Sequence, residues 1–334
     1  MSDYRREIHH SLNALIAASE GDFAALATQL IAGDSVWEIA HPVNRLEGRA
    51  AVIDGFLRPL RAALSHVRRR DEIFVGGENV RRDGGTWAAA ITHYVGTFEA
   101  PLFGLLPSRR LAFMRSGEFY RVDNGKITQA HIIIDLPDLA RQAGRMPLPP
   151  MLGTEMLFPG PATHDGVLPE TGNGTASLDL VQAMLDDLHV YDPDNAHSKG
   201  QIGHDGRWHD DMLWYGPAGI GSNYRWDGFV ADHRAAFLAA FPDRKGGNHY
   251  CRIGDGDYAA VSGWPSMTMT HQGPYLGVPP TGKALTLRVM DFYRCDFTGA
   301  RGKIAENWVC LDYGDLFHQM GIDLIAKANA LAAA

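Results

Sequence analysis

Pro101-Leu-Phe-Gly104-Leu-Leu-Pro107 returns 173 residues later as Pro274-Tyr-Leu-Gly277-Val-Pro-Pro280. Other matches keep that offset: Asp54-Gly55-Phe56 with Asp227-Gly228-Phe229, Arg61-Ala62-Ala63 with Arg234-Ala235-Ala236, and Glu118 with Asp291. After a hairpin that is four residues longer in the second half, the offset becomes 177. Gly125-Lys126-Ile127 then matches Gly302-Lys303-Ile304, Asp135-x-x-Asp138-Leu139 matches Asp312-x-x-Asp315-Leu316, and Gln142-x-Gly144 matches Gln319-x-Gly321. Offsets this constant over so long a stretch mean two copies of one domain, and a period this long means tandem domains rather than a solenoid.

The copies meet at Met146–Ser177, which carries six prolines. Proline removes backbone donors, so this stretch is no regular element, and its length favours an interdomain segment. Its apolar residues, among them Met151, Leu152 and Phe158, predict that it lies across the surface of one or both domains. The expected division is domain 1 over 1–145, a linker over 146–176 and domain 2 over 177–334. Within each copy the pattern gives helices first. Ile8, Leu12, Leu15 and Ile16 mark one face in the first copy, and Leu178, Val181, Leu185 and Leu188 in the second. A helix over 51–65 (226–241 in the second copy) and long strands follow: 87–96, 110–122 and 126–134, then 258–264, 267–273, 285–295 and 303–311. This is an α+β plan, a curved antiparallel sheet closing over helices to form a cone.

The 334 residues carry 31 Lys plus Arg against 39 Asp plus Glu, a formal charge of −8, which argues against a nucleic-acid partner. No apolar run reaches the length of a membrane span, and the opening residues lack the apolar core of a signal peptide. Three scattered cysteines, Cys251, Cys295 and Cys310, form neither a disulfide framework nor a zinc knuckle, so the expected location is cytoplasmic.

The second copy resembles the SnoaL-like polyketide cyclases of the NTF2-like superfamily. The resemblance rests on His271-Gln-Gly-Pro-Tyr-Leu-Gly-Val-Pro-Pro-Thr-Gly-Lys283, Arg288-Val-Met-Asp291-Phe-Tyr-Arg294 and Gly302-Lys-Ile-Ala-Glu-Asn-Trp308-Val-Cys-Leu-Asp312. It covers about 177–325, and more weakly about 5–145. It implies two tandem NTF2-like cones, the second with a deep apolar pocket in which a carboxylate performs acid–base work on a carbonyl compound without metal or cofactor. Cyclisation, isomerisation and dehydration all fit, with a small molecule as the partner. The family commonly has an acid directly after the last-strand tryptophan. Here Val309 follows Trp308, so either the aldol-cyclase reading fails or Asp291 takes over as the carboxylate. The two copies are expected to form an internal pseudo-dimer, with a homodimer as a further association.

Asp291 is the expected base, because a charge in the apolar strand around Leu287–Phe292 is costly unless it is paired or functional. Alternation puts Val289, Asp291 and Tyr293 on one face. The competing reading is a structural Asp bonded to Arg288 or Arg294. His271 and Asn307 are the expected polarising groups, and neither is matched in the first copy (Phe98 and Ala130). Trp214, Tyr215, Trp264 and Trp308 are expected walls, with His233 at the cone mouth and His209 on a lid. The H-x4-H spacing of His204 and His209 fits no standard metal set, so no metal is expected. Asp135 and Asp312 read as caps of the final helices. His9-His10 reads as helix surface and Arg68-Arg69-Arg70 as a solvated turn. The alternative to an enzyme is a tandem module that binds a small apolar ligand without chemistry, and the environment of Asp291 discriminates between the two.

Overall fold

A computed structural model describes residues 3–169, 174–188, 198 and 200–332. Its elements repeat in order. The first set is α1 (Tyr4–Ala17), α2 (Glu20–Leu30), β1 (Ile31–Ile39), β2 (Asn44–Glu47), α3 (Arg49–Val52), a π-helical turn (Ile53–Leu57), α4 (Arg58–Ala63), β3 (Leu64–Glu78), β4 (Thr86–Phe98), β5 (Leu111–Asp123), β6 (Lys126–Ile134) and α5 (Leu136–Gln142). The second set is α6 (Thr175–Leu188), β7 (Trp208–Tyr215), β8 (Asn223–Tyr224), α7 (Arg225–Phe229), a second π-helical turn (Val230–Arg234), α8 (Ala235–Ala240), β9 (Cys251–Asp255), β10 (Tyr258–Thr270), β11 (Ala284–Asp296), β12 (Lys303–Leu311), α9 (Tyr313–Met320) and α10 (Leu324–Ala330).

Each set builds one six-stranded sheet, in the orders β2-β1-β6-β5-β4-β3 and β8-β7-β12-β11-β10-β9. The sheets are mixed rather than wholly antiparallel. β1 runs parallel to β6, and β7 parallel to β12. The two segments expected over 258–273 are one strand, β10, whose pairing with β11 shifts between Gly263 and Met267. β3 has no counterpart among the expected elements. Arg68-Arg69-Arg70 lies inside it and is no turn. The register also corrects one alignment. Trp37 pairs with Ala130 and Trp214 with Asn307, and the two π-helical turns occupy the same place after them. The helix of the second cone therefore keeps an offset of 177, about one helical turn from the pairing that the Asp-Gly-Phe match suggests.

The sheets meet through their outer faces. Phe119 packs on Phe292 with ring centroids 5.3 Å apart, and His131 stacks on Trp264 at 5.2 Å. Gly117 lets the backbones approach, since a Cβ there would stand 2.8 Å from Cys310 Sγ. Asp135 and Asp312 cap α5 and α9, accepting from the backbone N–H of Asp138 and Asp315, each at 2.9 Å. Each also crosses the interface: Asp135 accepts from Ala218 N–H at 2.9 Å, and Asp312 from His41 N–H at 3.2 Å. Arg115 and Arg288 pair with these caps at 3.1 and 3.0 Å. The linker lies between the cones. Phe158 is buried under the Arg115 guanidinium, and Pro159 C=O accepts from Trp308 Nε1 at 2.9 Å. Among the described residues no helix is long and apolar enough to cross a membrane.

Candidate functional site

A strand shows alternate side chains to opposite faces. In the second cone the concave face receives Val289, Asp291 and Tyr293 from β11, Asn307, Val309 and Leu311 from β12, and Trp208 and Trp214 from β7. Across from this wall stand Leu185 of α6, Trp226 and Phe229 of α7, His233 of the π-helical turn and Phe237 of α8. Between the two walls lies a cavity of about 150 Å³. An apolar cavity of about that size takes up a benzene ring.

Asp291 is the carboxylate of this cavity. Among the described residues it has no ion pair. Arg288 is committed to Asp312 at 3.0 Å and Arg294 to Glu306 at 2.6 Å. Burial pushes the Asp291 carboxyl up to about 7, against hydrogen bonds from Asn307 and Tyr293 that pull it down. This is what an apolar environment does to a carboxyl with no cation beside it. Burial, and then the Asp291 charge, raises the Tyr293 phenol well above its ordinary range, so it stays a donor. Asn307 is the cross-strand neighbour of Tyr293, and its amide also donates to Phe292 C=O at 3.0 Å.

Of the expected site residues, Asp291, Asn307, Trp214 and His233 line the cavity. The others do not, and the reasons are geometric. Trp308 follows Asn307 and Tyr215 follows Trp214, so alternation turns both to the outer face. There Tyr215 bonds Glu306 at 3.3 Å and packs 5.1 Å from Trp308. His209 follows Trp208 and for the same reason faces outward, with Nε2 3.2 Å from Asp296. Trp264 sits where β10 shifts register and joins the interface under Arg288. His271 lies just past the end of β10, buried against Phe241. Its Nδ1 is 3.1 Å from Thr281 Oγ1, and it does not meet Asp291. The polar group beside Asp291 is instead Tyr293. Its signal was in the sequence, two positions after Asp291 on the same face. Among the described residues no cluster of His, Cys, Asp or Glu is placed to share a metal ion.

The first cone shows what the same position looks like when closed. Glu118, the counterpart of Asp291, is fully buried and accepts from Arg69, Tyr94 and Tyr120, each at 2.6 Å. Arg69 also bonds Asp71 at 2.8 Å, and Asp71 meets His9 at 3.1 Å, so Arg69 and His9 are not mere solvated surface, while Arg68 and Arg70 are exposed. Tyr94 pairs with Met114, as Met267 pairs with Leu287. Arg69 pairs with Tyr94, whereas the bridge of Lys245 to Thr268 sets Gly246 beside Met267. The closing arginine and tyrosine of the first cone are thus a glycine and a methionine in the second, and both line the cavity.

Residues 203–320 match the family model described as SnoaL-like polyketide cyclase. The chain is similar to solved structures over one cone's length. One is IdmH from Streptomyces antibioticus, at 18% identity, covering 42% of this chain and 98% of that one, with a TM-score of 0.34. Another is a protein of ketosteroid isomerase-like fold from Catenulispora acidiphila, in complex with trimethylamine, at 19% identity, covering 41% and 92%, with a TM-score of 0.31. A third is TsrD from Streptomyces laurentii, at 18% identity, covering 43% and 98%, with a TM-score of 0.34. A search of curated proteins finds no match.

Proposed function

We propose that the second cone, which carries the SnoaL-like match, is a cofactor-independent acid–base site for a small carbonyl compound, with Asp291 as its base. The observation that carries this reading is a buried carboxyl lining a largely apolar cavity, with no ion pair among the described residues, where burial pushes it up to about 7. At that pKa the ionised and protonated forms are both populated at pH 7, so one group removes a proton and later returns it.

The step follows from the groups present. Ionised Asp291 takes a proton from the carbon beside a carbonyl. The C–H bond breaks, an O–H bond forms on Asp291, and the electron pair moves onto the carbonyl oxygen. Once Asp291 is protonated it is a poorer acceptor, and the Tyr293 O–H turns to the oxygen on which charge develops. Return of the proton at another carbon is isomerisation; attack of the carbanion on a second carbonyl, whose oxygen takes the proton from Asp291, is cyclisation; and departure of a β-hydroxyl as water, with that proton, is dehydration. The first cone, with Glu118 locked by Arg69, supports the second and does no chemistry of this kind.

The test is proton exchange at the α-carbon of 2-indanone in heavy water, followed by NMR. The wild type is expected to accelerate exchange, and Asp291→Asn to lose about 10²–10⁴-fold of that acceleration. Equal exchange by both proteins overturns the reading. Binding of 2-indanone with no exchange by the wild type favours a ligand-binding module instead.

A further inference from the structure

One polar ring of the cavity has no part in that step. His233 lies in the π-helical turn of the second cone, its ring stacked on Trp214 with centroids 4.7 Å apart and planes 15° from parallel. Phe229 and Phe237 flank it, each at 5.5 Å. Its Nδ1 is buried and has no hydrogen-bond partner among the described residues. An orphaned nitrogen in an apolar box costs stability unless something completes it. Burial, with Arg234 and Arg244, pushes His233 down to about 3, so the ring is neutral and offers one donor and one acceptor.

The first cone shows that the fold does not need this polarity. Trp214 corresponds to Trp37 through the shared strand register, and His233 to Phe56 in the matching π-helical turn. Phe56 packs on Trp37 at 6.2 Å and leaves nothing unsatisfied. The imidazole is therefore one of the exchanges that separate the two cones, along with those at Gly246, Met267 and Asn307.

The place of His233 relative to the base defines what it meets. Trp214, Asn307 and Tyr293 are successive cross-strand neighbours on β7, β12 and β11. Two strand spacings put Trp214, and the imidazole above it, about 10 Å across the sheet from Tyr293. Asp291 stands on the same strand as Tyr293. A substrate with its reacting carbon at Asp291 and a ring filling the apolar middle brings the far side of that ring to His233.

We propose that His233 is a specificity-determining residue that hydrogen-bonds a second oxygen substituent, so the substrate class is a ring carbonyl compound bearing a hydroxyl or keto group across the ring from the reacting carbon. This rests on the acid–base reading of Asp291 for the orientation of the ligand. The test compares binding of 2-indanone and 5-hydroxy-2-indanone by calorimetry. The wild type is expected to bind the hydroxylated probe about tenfold more tightly, the worth of one buried hydrogen bond. His233→Phe, the first cone's own residue, is expected to bring the affinities for the two probes to a ratio of about one. His233→Gln, which keeps a donor and an acceptor, retains part of the preference. Equal affinities in the wild type, no binding of the hydroxylated probe at millimolar concentration, or a preference that survives His233→Phe overturns the assignment. Asp291→Asn separates the two readings. It is expected to keep the preference and lose exchange, so a variant that keeps exchange removes the base and leaves His233 standing.

Discussion

Arg69 in the first cone and Gly246 in the second hold the same position beside equivalent strands. Arg69 pairs across β3 and β4 with Tyr94, and Gly246 sits beside Met267, the counterpart of Tyr94. Where the guanidinium is present, the buried acid is ion-paired and hydrogen-bonded. Where it is replaced by a hydrogen atom, the acid at the matching position lines a cavity and, among the described residues, has no ion pair. One fold thus carries an ion-paired carboxylate and one with no ion pair among the described residues, and the arginine that makes the difference lies outside the strand that bears either acid.

Restoring the closing pair is expected to shut the second cone. In Gly246→Arg with Met267→Tyr, the new guanidinium and phenol reach Asp291 as Arg69 and Tyr94 reach Glu118. The Asp291 carboxyl should then titrate below the ordinary carboxylate range. Binding of 2-indanone should be lost while the circular dichroism spectrum is kept. Undiminished binding contradicts the equivalence.

Removing the closing arginine from the first cone has the opposite sign. Arg69→Met leaves Glu118 and Asp71 buried without their cation. Breaking a buried pair from one side costs about 3–5 kcal/mol, which urea denaturation would register as a lower midpoint. A cost below about 1 kcal/mol would show that the network is not the lock described here.

The pH dependence of stability follows from the raised Asp291 value. The folded carboxyl, near 7, holds its proton more tightly than the unfolded one, near 3.8. Its contribution is complete below about pH 4 and is lost as pH rises through 7. Asp291→Asn, which cannot ionise, should escape that loss. Its melting temperature is expected to exceed that of the wild type at pH 8, by the equivalent of about 2–4 kcal/mol, with the gap closing toward pH 4. A gap that does not change with pH would mean that Asp291 titrates normally.

The interface predicts a matched pair of effects. Asp135 and Asp312 each cap a helix, pair with an arginine and accept one backbone N–H from the other cone. Asp135→Ala and Asp312→Ala are each expected to cost about 3–5 kcal/mol by urea denaturation, because each leaves a largely buried arginine short of a partner. A large cost at one position and none at the other would contradict the reciprocal arrangement.

The repeat made the two cones legible, because offsets of 173 and 177 are visible in the residues themselves. Period-two alternation likewise put Asp291 and Tyr293 on one face, as observed. The same rule, applied to Asn307-Trp308 and Trp214-Tyr215, would have excluded Trp308 and Tyr215 from the cavity, since adjacent strand residues cannot face one way. His271 and Trp264 were not separable in this manner, because a register shift in β10 intervenes. Gly246 carried no signal at all. A glycine between Lys245 and Gly247 reads as a turn, and its meaning appears only when the other cone shows the arginine that is missing. Arg69 failed for the converse reason: three successive arginines look solvated until the buried acids around the middle one are known.

The most direct measurement is a carbon-13 NMR titration of the Asp291 carboxyl in the intact wild-type protein, assigned by its disappearance in Asp291→Asn. The account predicts a midpoint near 7, the consequence of burying a carboxyl that has no ion pair among the described residues. A midpoint at or below about 4, the range of a solvated or ion-paired aspartate, would contradict it.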